Sequence, residues 1–177
     1  SVGRYAVKMI QSKKSLELVG AVDVDPKKVG KDAGEIFGFD KANVIVSDDI
    51  DEVLKQEADV VLIYLPNMRD EGNLRPTGFT PNARNICKAL SANKNVLTTL
   101  PVYNMNETAP QLYDMVNNCA LEHGVTYIQQ GIFPGLFNSY LPVVVSSMAG
   151  RIYKLIVTGG QDHSYNTSPW VQVFGYG

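Results

Sequence analysis

The sequence is poor in the residues that carry metal, disulfide or polyanion chemistry. Its 177 residues hold 2 cysteines, 2 histidines and 1 tryptophan. Cys87 and Cys119 stand far apart in helix-like patterns, so there is no C-x-x-C and no disulfide framework. Both read as buried apolar residues of a reducing compartment. The His and carboxylate positions lack metal-ligand spacing, and neither a P-loop nor a nucleophile elbow is present. With 16 basic against 18 acidic residues the net charge is −2, and no cationic run supplies a field for gripping nucleic acid or an anionic membrane. No stretch approaches the ~20 apolar residues of a membrane helix. Polar residues from Gln11 to Ser15 follow the first apolar ones too soon for a signal peptide, so a cytoplasmic protein is expected. What the chain does have is apolar material for a core, at 45% of residues.

That material is periodic. Val2, Tyr5, Ala6, Met9 and Ile10 are spaced as one face of a helix that begins at the first or second residue. Leu16-Glu-Leu-Val-Gly-Ala-Val-Asp23 is a short apolar run ending in an acid, the pattern of a strand buried on both faces. Residues 27–37 read as a turn and a short helix, and residues 44–47 as a strand. Asp48 or Asp49 then caps a helix through Leu54. Residues 59–65 form the strongest strand, ended by Pro66. A Gly/Pro-rich excursion over 67–80 leads to a helix on Ala83, Ile86, Cys87 and Leu90, then a strand over 95–99. Thr108-x-x-Gln111 has the form of a capping box, with Pro110 in the first turn and Gly124 closing the helix. Residues 125–129 are the last strand of the series.

Strand and helix alternate to about residue 130, which predicts a parallel sheet with helices on both faces. From Gly131 the rhythm changes to a Gly/Pro loop, a helix from about 138 to 148, and a two-sided strand over 151–158. The expected organisation is a doubly wound domain over 1–130 and the start of an α+β substrate domain over 131–177. Since the chain opens inside a helix and stops at Phe174-Gly-Tyr-Gly177, it reads as a fragment with sequence missing on both sides.

Gly3 lies in the first turn of the first helix and Asp23 ends the next strand, twenty residues later. In a dinucleotide-binding fold the third glycine of G-x-G-x-x-G occupies that helix start, and an acid about 20 residues on meets the adenosine ribose. The first strand and two glycines of such a fingerprint would precede residue 1. Ser1, Val2 and Gly3 would then face the pyrophosphate, with Asp23, Val24 and Asp25 at the ribose. Asp23 favours NAD by repelling a 2′-phosphate, whereas Lys27 and Lys28 stand close enough to neutralise one, so NAD(P)H is expected without a choice between them. The other strand ends, at Leu65, Pro66 and Asn67 and at Thr99 and Leu100, line the edge where such sheets collect ligands. Phe133, Pro134 and Phe137 wall a corner suited to a nicotinamide and a small apolar substrate, or else fill the core as a packing turn. Tyr103 and His163, the latter beside Asp162, are the candidate acid–base groups; His123 reads as a surface residue compensating a helix C-terminus.

Val19-Gly-Ala-Val-Asp-Val-Asp-Pro-Lys-Lys-Val-Gly-Lys-Asp-Ala-Gly-Glu35 resembles the second strand and following turn of 2,4-diaminopentanoate dehydrogenase-like proteins, a group that includes the native amine dehydrogenases. Lys94-Asn-Val-Leu-Thr-Thr99, Gly131-Ile-Phe-Pro-Gly135, Asp162-His-Ser-Tyr-Asn-Thr-Ser-Pro169 and Phe174-Gly-Tyr-Gly177 resemble further segments of that family. The resemblance implies a Rossmann-type domain and a homodimer. It also implies NAD(P)H-dependent reductive amination of a small ketone or aldehyde with ammonia, with Tyr165 helping to shape the pocket. The family carries a glutamate just after the Thr-Thr strand, acting on the amine nitrogen; here those positions hold Leu100, Pro101 and Val102, which move no proton. A dihydrodipicolinate reductase-like enzyme, or a non-catalytic dinucleotide sensor, would tolerate that departure.

Overall fold

The computed structural model describes residues 2–65, 81–99, 105–132, 135–160, 162 and 164. Helices and parallel strands alternate through α1 (Val2–Gln11), β1 (Ala21–Val22), β2 (Val46–Ser47), α2 (Ile50–Val53), β3 (Val60–Ile63), α3 (Pro81–Ser91), β4 (Asn95–Thr98), α4 (Met105–Thr108), α5 (Pro110–His123) and β5 (Tyr127–Gln129). β1 pairs with β2, and β4 stands between β3 and β5, parallel throughout. The fold is α/β of the Rossmann type. With β1 counted as the second strand, the two orders are 3-2 and 4-5-6 of the doubly wound sequence 3-2-1-4-5-6. The first place, between β1 and β3, holds no described strand.

The core lies where α3 and α5 cover the three-stranded sheet. Ile63, Val96, Ala83, Ile86, Ala89, Leu90, Leu112 and Val116 are buried together there. Their spacing on each helix puts one apolar face against the strands. Thr98 is fully buried as well, and it is satisfied by donating its hydroxyl to the Ile63 carbonyl at 2.9 Å. Cys87 and Cys119 are half-buried on α3 and α5, and the Cys87 thiol donates to the Met115 carbonyl at 3.9 Å; burial first, and the neighbouring Cys119 second, push the Cys87 thiol up to about 12. They are free thiols, as expected, but a facing pair.

Several boundaries differ from expectation for physical reasons. β1 keeps two residues of the eight expected, since only one edge has a described partner and Val22 stays more than a third exposed. The capping box at Thr108 is not formed: Thr108 ends α4, and Ala109 becomes the cap of α5 with no side-chain bond, Pro110 following at the first turn. Gly124 does close α5, in the left-handed region at φ 63°. Asp49, rather than Asp48, caps α2, its carboxylate accepting the Asp51 and Glu52 N–H groups. Residues 136–140 form a π-helical turn that runs into α6 (Leu141–Ser146). The strand expected over 151–158 is absent: these residues are exposed and pair with nothing among the described residues. A two-sided apolar strand needs neighbours on both faces and edges.

The loop after β1 is organised by Asp32, which is buried. Its carboxylate accepts N–H groups from Gly34 at 2.8 Å, Glu35 at 3.2 Å and Ala42 at 2.9 Å. These bonds, Ala42's foremost, hold its pKa near 2 against the opposing push of burial. The folded value lies below the usual 3.8, so the stabilisation is complete above about pH 4 and is lost as pH falls towards 2. Asp32→Ala should therefore lower the urea midpoint at neutral pH and flatten its fall between pH 4 and 2. An acid limb identical to that of the parent would contradict this role.

Candidate functional site

Among the described residues, Asp23, Leu65 and Thr99 each lie just past the C-terminal end of a parallel strand. Asp23 follows β1 directly, its N–H donating to the Ser47 carbonyl at 3.0 Å, so strand pairing fixes its backbone. Its Oδ1 accepts the Asp25 N–H at 3.0 Å and its Oδ2 takes the Lys28 ammonium at 2.5 Å. Burial pushes the Asp23 pKa up, but the hydrogen bonds from Lys28 and Asp25 outweigh it, and the net shift is downward. The group is thus an anion at neutral pH, a third exposed, with one oxygen held by the chain's own turn and the other by a lysine. Asp25 in turn accepts the Lys27 N–H at 2.9 Å, a side-chain-closed turn that Pro26 favours. Val24 is 80% exposed between the two acids and offers an apolar surface.

α1 begins at Val2 and Gly3, whose N–H groups lie in the first turn and are free of intrahelical partners by position. A Cβ at Gly3 would meet nothing within 4 Å, so the close helix–strand approach expected there is not made among the described residues. Arg4 and Lys8 instead rest on the Phe39 ring, and Gln11 donates to the Asp40 carbonyl at 2.8 Å, tying α1 to the loop beyond Asp32. Further along the edge, Leu65 and Thr99 are exposed just past β3 and β4. Tyr64 stands beside Leu65 with its phenol pKa raised by burial, a neutral hydroxyl at the edge that sequence alone did not single out.

The corner after β5 closes on itself. Gly131 and Gly135 form a parallel bridge, and Gly135 has φ 135°. A Cβ there would fall 2.2 Å from the Gly131 carbonyl oxygen, so both conformation and space require glycine. The Gly135 N–H donates to Asn138 Oδ1 at 2.6 Å, and the Gly131 carbonyl accepts from Leu136 at 2.9 Å. Phe137 follows, 46% exposed, on the π-helical turn; its ring is not spent in the core. His123, read from the sequence as a surface residue, is half-buried, its Nδ1 lying 3.0 Å from the Cys119 carbonyl in the last turn of α5. Ser1, Pro66, Asn67, Leu100, Tyr103, Phe133, Pro134, His163 and Tyr165 lie outside the described residues.

Fold and edge together define a doubly wound α/β domain of the Rossmann type. Residues 1–64 match the family profile described as "Dihydrodipicolinate reductase, N-terminus". Over 155 residues, 86% of its length, the chain is 28% identical to an amine dehydrogenase of Streptomyces virginiae, of which it covers 41%. A stretch of 53 residues, 30% of the chain, is 40% identical to 19% of a 4-hydroxy-tetrahydrodipicolinate reductase from Gloeothece citriformis (strain PCC 7424). Among solved structures, that of an amine dehydrogenase from Mycobacterium smegmatis aligns with a TM-score of 0.66. It covers 85% of this chain and 41% of that one at 24% identity, a likeness of fold. The resemblance read from the sequence stands, and the chain spans well under half the length of the amine dehydrogenases it matches. No helix among the described residues is long and apolar enough to cross a membrane.

Proposed function

We propose that this chain supplies the coenzyme-binding part of an NAD(P)H-dependent oxidoreductase that reductively aminates a small ketone or aldehyde with ammonia, or runs the reverse deamination. The observation that carries this reading is the Asp23 carboxylate, held ionised at the end of a parallel strand one helix after a glycine-bearing helix start. The donor set suits the adenosine half of a dinucleotide. The first-turn N–H groups of Val2 and Gly3, together with Ser1, bind the pyrophosphate, and Asp23, Val24 and Asp25 receive the ribose. Leu65, Pro66, Asn67, Thr99, Leu100 and Pro134 complete the edge along which the coenzyme lies. When bound, the coenzyme supplies the hydride; the chain's part is positioning and exclusion of water.

Phe133, Phe137 and Tyr165 shape an apolar pocket beside the glycine corner, where the carbonyl compound and ammonia meet as an imine. Tyr103 or His163 moves the proton that the family's glutamate would move. Residues 1–130 act as the dinucleotide-binding domain and 131–177 open the substrate and dimerisation domain of a cytoplasmic homodimer. The similarity to amine dehydrogenases over most of the chain supports this reading. The match of residues 1–64 to dihydrodipicolinate reductases, with Leu100, Pro101 and Val102 in place of the glutamate, favours a second one: reduction of a ring imine or a carbonyl without ammonia.

Coenzyme oxidation by the intact protein separates them. Turnover with ketone plus ammonia, and none with ketone alone, is expected. Turnover with ketone alone supports the reductase, and binding without turnover of any substrate supports a dinucleotide sensor.

A further inference from the structure

We infer that Cys87 and Cys119 form a redox-sensitive dithiol, which hydrogen peroxide converts to a disulfide clamping α3 to α5. The inference stands apart from the coenzyme reading and holds or falls without it. The two helices pack side by side over the three-stranded sheet, and both cysteines rest against the buried cluster. Cys87 Sγ lies 3.9 Å from the Met115 carbonyl oxygen, so a side chain of α3 reaches the backbone of α5. Met115 stands one turn before Cys119 on that helix. Helical side chains lean back towards the helix N-terminus, so the Cys119 thiol lies over the turn that Cys87 touches. Only closely packed helices let so short a side chain do this, and a disulfide requires such proximity, with Cα atoms roughly 4.4–6.8 Å apart. Each cysteine keeps part of its surface in water, within reach of a small oxidant.

The two sulfurs have different parts to play. The thiolate is the nucleophile in such chemistry, and burial together with the neighbouring Cys119 keeps the Cys87 proton on its sulfur. Cys119 therefore attacks first. Its sulfur forms a bond to one peroxide oxygen, the O–O bond breaks, and the departing hydroxide takes up the Cys119 proton as water, leaving a sulfenic acid. The Cys87 sulfur then attacks the Cys119 sulfur; the S–O bond breaks, and hydroxide leaves with the Cys87 proton as a second water. Two thiols are oxidised to a disulfide and one peroxide is reduced to two waters. The resting form is the dithiol. The link closes residues 87–119 into a loop, which restricts the unfolded chain, and a thiol reductant reopens it by exchange.

The test is exposure of the intact protein to hydrogen peroxide, followed by alkylation, non-reducing digestion and mass spectrometry. The peptides carrying Cys87 and Cys119 should appear as one crosslinked species, lighter than their sum by two hydrogen atoms, and should separate in dithiothreitol. The oxidised protein should melt roughly 3 °C or more above the reduced one, a gain that dithiothreitol erases. Cys87→Ala should trap Cys119 as a sulfenic acid, which dimedone labels. If that variant fails to fold, the wild-type crosslink and melting shift decide alone. Thiols that both stay free, under peroxide that oxidises glutathione in the same solution, overturn the inference. So does linkage to any other thiol, or a crosslink that leaves the melting temperature unchanged or lower. A folded Cys87→Ala variant that takes no label overturns the assignment of Cys119 as the attacking thiol.

Discussion

Replacing Asp23 with Ser is expected to move the ratio of kcat/KM for NADPH over NADH upward by roughly tenfold or more. Each decade corresponds to about 1.4 kcal/mol, and two effects add. The charge-assisted bond from a ribose hydroxyl to the carboxylate, about 1.5–3 kcal/mol, becomes an ordinary one to a hydroxyl. The repulsion between carboxylate and 2′-phosphate, already partly offset by the Lys28 ammonium, disappears. The substitution also releases Lys28, whose nearest carboxylate is then Asp25. Asp23 lies on a turn fixed by backbone bonds to Ser47 and from Val29 and Lys28 to Asp25, so the fold has little reason to change. An unaltered ratio would remove Asp23 from the ribose.

Gly3→Asp separates binding from stability more sharply. A Cβ at Gly3 meets nothing within 4 Å, and an acid in the first turn complements the helix dipole by about 0.3–1 kcal/mol. Thermal unfolding should therefore hold or shift upward. Binding of both coenzymes should fall roughly 100-fold, because the new carboxylate faces a pyrophosphate across a few ångströms, where like charges repel by several kcal/mol. The combined readout is a melting curve and a coenzyme titration on the same protein. Undiminished affinity for both coenzymes would place the pyrophosphate elsewhere.

The sequence carried the parts of the fold that local chemistry determines. The apolar run of 59–65 read as the strongest strand, and β3 is paired with β4 along its whole length. Gly124, and the α2 cap to within the Asp48–Asp49 pair, were readable because a left-handed residue and a helix cap each demand a narrow set of side chains. What depended on partners was less legible. The run ending at Asp23 spans eight residues, but a strand persists only where an edge is paired, so β1 is two residues long. Residues 151–158 fail for the same reason. Thr108 met the letters of a capping box while α4, a turn of helix that no periodicity marked, claimed it from the other side.

The site was legible in the same uneven way. Asp23 stood out by its spacing from Gly3, and the structure places it at the end of β1. That Lys28 rather than Lys27 contacts it depends on how the turn at Asp25 folds back, which neighbouring lysines in a sequence do not reveal. Asp32 had no motif at all. Its role comes from three N–H groups converging across ten residues of loop, an arrangement visible only once the loop is closed.

Isothermal titration of the intact protein with NADH and with NADPH tests the coenzyme assignment most directly. Saturable heat with one site per chain is expected for at least one of them, weakened by Gly3→Asp while the melting temperature holds. A folded, intact protein that takes up neither coenzyme would contradict the account at its root.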